Sequence, residues 1–159
     1  MPETRDITLT VNGETVTATV PVRLNLVDFL RNSLGLTGSH VGCEHGVCGA
    51  CTLDVDGATT RGCLMLAVQA DGCTITTVEG LPAHGMAGAL RAAFTERNAL
   101  QCGFCTPGML ASALEYIGAG GAADRTAIRE HLSGNYCRCT GYQSIVDAVC
   151  DVIEGRARA

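Results

Sequence analysis

Residues 43 to 51 read C-E-H-G-V-C-G-A-C, and Cys63 follows after eleven further residues. Cys43, Cys48, Cys51 and Cys63 therefore stand at the spacing C-x4-C-x2-C…C, close enough for one loop to wrap a metal centre. A second set begins with C-G-F-C at residues 102 to 105, continues across a gap of 31 residues, and closes with C-R-C at residues 137 to 139. Eight of the ten cysteines thus fall into two sets of four. No nucleotide-binding loop and no pair of catalytic acids stands beside them. Two such centres without those groups predict a chain that moves electrons one at a time.

Composition agrees with this reading. A chain of 159 residues has room for one domain or two small ones, and 47% hydrophobic content is enough for packed cores. Aromatic residues are only 4%, so the cores must be built from Ala, Val, Leu and Ile. Two domains of roughly 80 residues bury a modest share of their surface, and each gains from a metal staple. The N-terminal Met-Pro-Glu-Thr-Arg-Asp runs straight into a strand pattern, with no apolar signal core, twin-arginine pair or membrane-length stretch. A cytoplasmic location is the expectation, and in that reducing compartment closely spaced thiols serve metals better than disulfides. The formal net charge is −5 with every cysteine counted as neutral. Two assembled clusters would take it to roughly −9, which argues against a nucleic-acid partner.

The chain divides into two halves by pattern. Residues 7 to 11 and 15 to 20 alternate on either side of Asn12-Gly13, which predicts a β-hairpin. Leu26, Val27, Leu30 and Leu34 recur at helical spacing, with Asn25 as N-cap and Gly35 as stop. Thr52 to Val55, the turn Asp56-Gly57, and Cys73 to Val78 add short strands, giving the order ββαββ. Residues 79 to 85, E-G-L-P-A-H-G, lose periodicity and mark a linker, which sets domains of 1–79 and 80–159. Beyond it, helices are predicted over 86–98, after a Thr106 N-cap with Pro107 at the first helical position, over 125–133 capped by Asp124, and over 144–154. Four short helices imply a bundle, so the fold class is α+β.

The chemistry of the two sets differs in how far spacing alone decides it. Zinc favours four ligands closed tetrahedrally, often from two C-x2-C knuckles, and each set here has one such pair. The C-x4-C-x2-C run is the ligand spacing of plant-type [2Fe-2S] centres. Its Gly42, Gly46 and Gly49 would let backbone N–H groups turn inward toward sulfur. For the second set, C-x2-C and C-x-C leave both zinc and an iron–sulfur cluster open.

The strings C-E-H-G-V-C-G-A-C-T, G-C-L-M-L-A, L-Q-C-G-F-C-T-P-G-M and N-Y-C-R-C-T-G-Y together resemble the small iron–sulfur subunit of the molybdenum hydroxylases, the xanthine dehydrogenase family, over about residues 5 to 153. The resemblance implies an N-terminal β-grasp, plant-ferredoxin-like domain with one [2Fe-2S] cluster on Cys43, Cys48, Cys51 and Cys63. It likewise implies a C-terminal four-helix domain with a second on Cys102, Cys105, Cys137 and Cys139. A large subunit carrying molybdopterin would hydroxylate substrate with oxygen from water. The helical-domain cluster would receive the electrons, and the first would pass them on, often to FAD on a medium subunit. Gln101 and Cys139 match the positions that approach the pterin. A hetero-oligomer is implied, with a dimer of heterotrimers among the forms it can take.

The other thiols and imidazoles have plainer expectations. Cys150 and Cys73 share apolar faces and are expected as buried small hydrophobes. His45 lies within the first loop, but four cysteines already fill that site. His40, His84 and His131 are isolated in sequence and expected at the surface or near caps, and Arg138 as a surface or helix-end charge. Two other classes of function remain at this stage: an independent soluble two-cluster ferredoxin, and a zinc-stabilised interaction module without redox activity. Substrate identity lies beyond this chain.

Overall fold

The computed structural model describes residues 3 to 156, so the outer limits of the two expected domains lie outside the described residues. Strands β1 (Thr4–Val11) and β2 (Glu14–Pro21) pair antiparallel, with Thr4 opposite Pro21 and Val11 opposite Glu14. Asn12 at φ 53° and Gly13 at φ 87° supply the left-handed pair that a two-residue hairpin needs. Alternation turns Ile7, Leu9 and Val11 into the core, each no more than 4% exposed.

The predicted helix after the hairpin forms as a short α1 (Leu26–Asp28) that widens into a π-turn over Phe29–Ser33. Asn25 caps it, its Oδ1 accepting the Asp28 N–H at 2.8 Å, and Gly35 at φ 72° ends it. Leu26, Val27, Phe29 and Leu30 are all buried, a wider apolar face than one helical stripe presents. Each such side chain contributes about 1.5–3 kcal/mol on burial.

Strands β3 (Thr52–Val55), β4 (Ala58–Arg61) and β5 (Thr74–Thr76) complete a mixed sheet in the order β2-β1-β5-β3-β4, with β5 parallel to β1. Strand β4 goes beyond the order expected from sequence. Its A-T-T-R sequence has no apolar alternation because it forms the sheet edge and is carried there by the Asp56-Gly57 turn, at φ 53° and 85°.

Past residues 78–80, a single 3-10 turn, the chain is helical: α2 (Gly85–Glu96), α3 (Thr106–Gly118), α4 (Arg125–His131) and α5 (Gln143–Ile153). Asp124 Oδ1 accepts from Thr126 N–H at 2.8 Å, the expected cap. Thr106 is a correction. The helix begins at Thr106 itself, with Cys105 in the cap position at φ −83°, ψ −14°, and the Thr106 hydroxyl is buried without a hydrogen-bond partner.

Two cores result. One gathers β-sheet residues such as Leu9, Leu53 and Ile75 around Phe29 and Leu30; the other gathers Leu90, Phe94, Met109, Ile128, Ile145 and Val149. They meet where α3 lies on β3 and β4, tied by the Thr59 N–H of β4 donating to Glu115 Oε1 at 2.8 Å. The architecture is mixed α+β. Among the described residues no helix is long and apolar enough to cross a membrane.

Candidate metal centres

A cleft of about 630 Å³ lies between β3–β4 and α3 and is lined by none of the cysteines. The eight cysteines of the two sets lie instead in loops and turns. After α1 the chain enters a loop from His40 to Ala50 in which Glu44 (φ 58°), Gly46 (φ 82°) and Gly49 (φ 74°) all take left-handed backbone. Gly46 and Gly49 match the expectation. Gly42 does not reverse the chain; a Cβ there would lie 3.0 Å from Cys48 Sγ, so its role is to let sulfur approach.

Within this loop the thiols lie in pairs. The Cys48 N–H points at Cys43 Sγ at 3.4 Å, and Cys43 is pulled down to about 6 by that N–H first and then by the His45 N–H. Cys51 is buried and adjoins Cys63; burial, and then the neighbouring thiol, push it up to about 11. The four cysteines of the first set are thus brought together as Cys43 with Cys48 and Cys51 with Cys63.

The second set converges although 31 residues of α3, α4 and their connection separate its two parts. Cys139 Sγ lies 3.6 Å from Cys102 Sγ, and both are exposed. Cys105 is buried beside Cys137, and burial followed by that neighbour pushes it up to about 12. Cys137 moves the other way. Burial opposes it, but the Thr140 hydroxyl at 3.1 Å and the N–H groups of Thr140 and Cys139 hold it below its ordinary value.

Among the described residues no three His, Cys, Asp or Glu side chains close on a single-ion position. The donor set fits a binuclear iron–sulfur core: sulfur donors in two pairs per site, with backbone and hydroxyl donors aimed at the sulfurs that must carry negative charge. Three thiols with raised values, Cys51, Cys105 and Cys139, must lose protons for any metal to bind, so binding would release protons.

Gln101 and Cys139 are also brought together: Gln101 Nε2 donates to the Cys139 carbonyl at 3.0 Å, and both are exposed. His45 is exposed with its Nδ1 on the Cys43 carbonyl. Arg138 is exposed, as expected. Cys150 is buried at 3% exposure, while Cys73 is only half-buried at the margin of the sheet core.

Sequence reasoning missed several residues around these loops. His40 stacks on Phe104, ring centroids 4.6 Å apart, with its Nδ1 2.8 Å from the Phe104 carbonyl. This joins a residue before the first set to the C-G-F-C of the second. Buried Asn135, Thr52 and Ser112, with half-buried Arg61, form a polar seam beneath both loops. Such partners are non-local, and only the N-Y-C-R-C string hinted that Asn135 had a role.

Two family models match the chain. A family described as "2Fe-2S iron-sulfur cluster binding domain" matches residues 9–81, and one described as "[2Fe-2S] binding domain" matches residues 77–150. Caffeine dehydrogenase subunit gamma of Pseudomonas sp. (strain CBB1) is 55% identical over 151 residues, covering 92% of this chain and 89% of that protein. The nicotine 6-hydroxylase small subunit of Paenarthrobacter nicotinovorans is 53% identical over 146 residues, with coverage of 92% and 88%. Among solved structures, quinoline 2-oxidoreductase from Pseudomonas putida 86 superposes with a TM-score of 0.90 at 50% identity, covering 96% of both chains. The chain belongs to the small [2Fe-2S] iron–sulfur subunits of the molybdenum hydroxylase, or xanthine dehydrogenase, family.

Proposed function

We propose that Cys43, Cys48, Cys51 and Cys63 ligate one [2Fe-2S] cluster, that Cys102, Cys105, Cys137 and Cys139 ligate a second, and that electrons enter at the second. Family membership makes the chain an oxidoreductase subunit that transfers electrons within a multi-subunit complex. The residue assignments, direction and named partners go beyond that. The observation that carries the residue assignments is the gathering of eight thiols into four pairs, with backbone N–H groups turned toward Cys43 and Cys137. When bound, each cluster accepts and returns one electron. The chain's part is to hold the thiolates, donate hydrogen bonds to them and keep the two loops adjacent.

On this reading residues 1–79 are a ferredoxin-like β-grasp domain and 80–159 a four-helix cluster domain. The exposed pair Cys102 and Cys139, with Gln101 beside them, would face a large subunit carrying molybdopterin, and the loop around His45 would face a medium subunit carrying FAD. Exposed apolar side chains support two docking faces. Leu100, Phe104 and Tyr136 lie within two residues of a cysteine of the second set, and Val47, Leu64 and Leu66 within three of one in the first. Apolar surface at such places is suited to contact with partners. Free thiols in this number suit a cytoplasmic setting. The three relatives above are named for caffeine, nicotine and quinoline, so a nitrogen heterocycle is the substrate class proposed for the complex.

Elemental analysis of the purified chain tests the assignment, with four iron and four acid-labile sulfide expected per chain and no zinc. Stoichiometric zinc without sulfide would end it. Stopped-flow reduction by substrate in the assembled complex tests direction. Gln101→Ala should retain both clusters yet weaken docking or slow electron entry, because leaving a polar group unpaired at a buried interface costs about 1–3 kcal/mol. Unchanged cluster reduction and unchanged subunit affinity would count against Gln101 at the entry face.

A further inference from the structure

The buried seam between the two cysteine loops is built around one side chain. Asn135 is 2% exposed and lies two residues before Cys137. Its Oδ1 accepts from the Ser112 hydroxyl of α3 at 2.9 Å, and its Nδ2 donates to the Gly49 carbonyl at 3.1 Å and to Thr52 Oγ1 at 3.2 Å. The orientation is fixed by chemistry, since a carbonyl oxygen can only accept and the amide NH₂ must face Gly49. Thr52 Oγ1 donates to the same Gly49 carbonyl at 2.6 Å and receives Arg61, whose other nitrogen donates to the Gly134 carbonyl at 2.8 Å. Every polar atom of the Asn135 side chain is used. Its backbone is held as well, its carbonyl accepting the Tyr142 hydroxyl at 3.2 Å.

What this node holds in place is a direct contact between the two loops. The Tyr136 N–H donates to the Cys48 carbonyl at 2.8 Å. Cys48 belongs to the first set, and the peptide after Tyr136 leads into Cys137 of the second. One hydrogen bond and one peptide unit therefore separate a cysteine residue of each set. The packing leaves no room for slack: a Cβ on Gly49 would lie 2.5 Å from the Gly134 carbonyl oxygen, and one on Gly108 would strike the Gly49 carbonyl oxygen.

We propose that Asn135 is a positioning residue for electron transfer between the two centres, clamping the Tyr136 N–H to Cys48 C=O bridge and so fixing their separation. The inference rests on the assignment of the eight cysteines as cluster ligands. The step it serves moves one electron from the reduced centre to the oxidised one; no bond forms or breaks and no proton need accompany it. His40 against Phe104 is the competing contact between the loops, made at their exposed margin by the His40 ring on the Phe104 ring and backbone carbonyl.

The test uses the full chain, and then the assembled complex, with Asn135→Ala, His40→Ala and Val149→Ala. Val149→Ala makes a cavity in the helical core away from the seam and controls for loss of stability alone. Three readouts apply: hydrogen exchange of the segment containing the Tyr136 amide, spin–spin splitting between the two reduced centres by EPR, and the rate of transfer between them. Asn135→Ala should retain both EPR signals, speed exchange at Tyr136 roughly tenfold or more, narrow the splitting and slow transfer, since a buried node left unpaired opens more often. Val149→Ala and His40→Ala should leave splitting and transfer rate near wild type. Should Asn135→Ala fail to assemble, Ser112→Ala removes only the α3 side of the node and should give the same changes in smaller measure. Unchanged splitting and rate in an intact Asn135→Ala chain would overturn the proposal, as would unchanged values in Ser112→Ala where Asn135→Ala does not assemble. Loss of transfer in His40→Ala alone would overturn it too. Wild-type chain with neither signal would instead remove the cluster assignment on which it stands.

Discussion

At the scale of single residues, the seam reverses ordinary propensities. Gly108 occupies the first turn of α3, where replacing Gly by Ala normally favours a helix by about 0.5–1 kcal/mol. Here the new methyl would strike the Gly49 carbonyl oxygen and come within 3.0 Å of Asn135 Nδ2. Backbone cannot give way as a flexible side chain could, so Gly108→Ala should destabilise by about 1–3 kcal/mol, the cost of overpacking. Denaturant melts of the two proteins decide the sign, and a gain in stability would mean the loops can separate freely. Thr106 is the opposite case. Its buried hydroxyl lacks a partner, so Thr106→Val, nearly the same shape, should be neutral or stabilising by up to about 1–2 kcal/mol, measured by the same melts. A large loss would show that the hydroxyl does useful bonding in the cluster-loaded protein.

At the scale of elements, α2 and α5 pack face to face, and one ion pair ties their ends. Asp151 of α5, 6% exposed, receives Arg97 at 2.6 and 2.9 Å and Arg156 at 3.0 Å. The hydrogen bonds from Arg97 come first in holding its carboxyl below the ordinary 3.8. A lowered value in the folded state adds stability that is fully present above the unfolded value and lost as pH falls through the folded one. The gap in urea midpoint between wild type and Asp151→Asn should therefore stay constant from about pH 7 to about pH 5 and narrow in more acid solution. A gap independent of pH would assign the effect to packing. Much at this scale was legible in the chain: the Asn12-Gly13 hairpin, the Asn25 and Asp124 caps and the α5 stripe all depend on neighbours in sequence. Strand β4 was not, because an edge strand needs no apolar alternation. Nor was the π-turn after α1, which depends on burying Phe29 and Leu30 against a sheet formed by distant strands. Within the candidate site, the eight cysteines could be read from spacing, whereas Asn135 with Gly49, Thr52 and Ser112 could not, since the fold alone brings them together.

At the scale of the whole molecule, two small cores depend on the loops that join them, and the two cysteine sets should not be equivalent when cut. Cys48 is half-buried in a loop, whereas Cys105 is 9% exposed, belongs to the helical core and stands at the start of α3. Metal ligation is coupled to folding, so each loss should be felt mainly in its own half. Cys48→Ser is expected to abolish the EPR signal of the first centre, keep two irons per chain, and leave the second signal present but without splitting. Cys105→Ser should abolish the second signal and also loosen the helical half, because it puts a hydroxyl among apolar groups at a cost of about 1–3 kcal/mol unless it is bonded. The measurements are iron content, EPR after reduction, and hydrogen exchange across α3 and α5. If either substitution removed all four irons while the other half stayed protected from exchange, the two centres would assemble only together, and the seam would be a condition of cluster binding as well as of electron transfer.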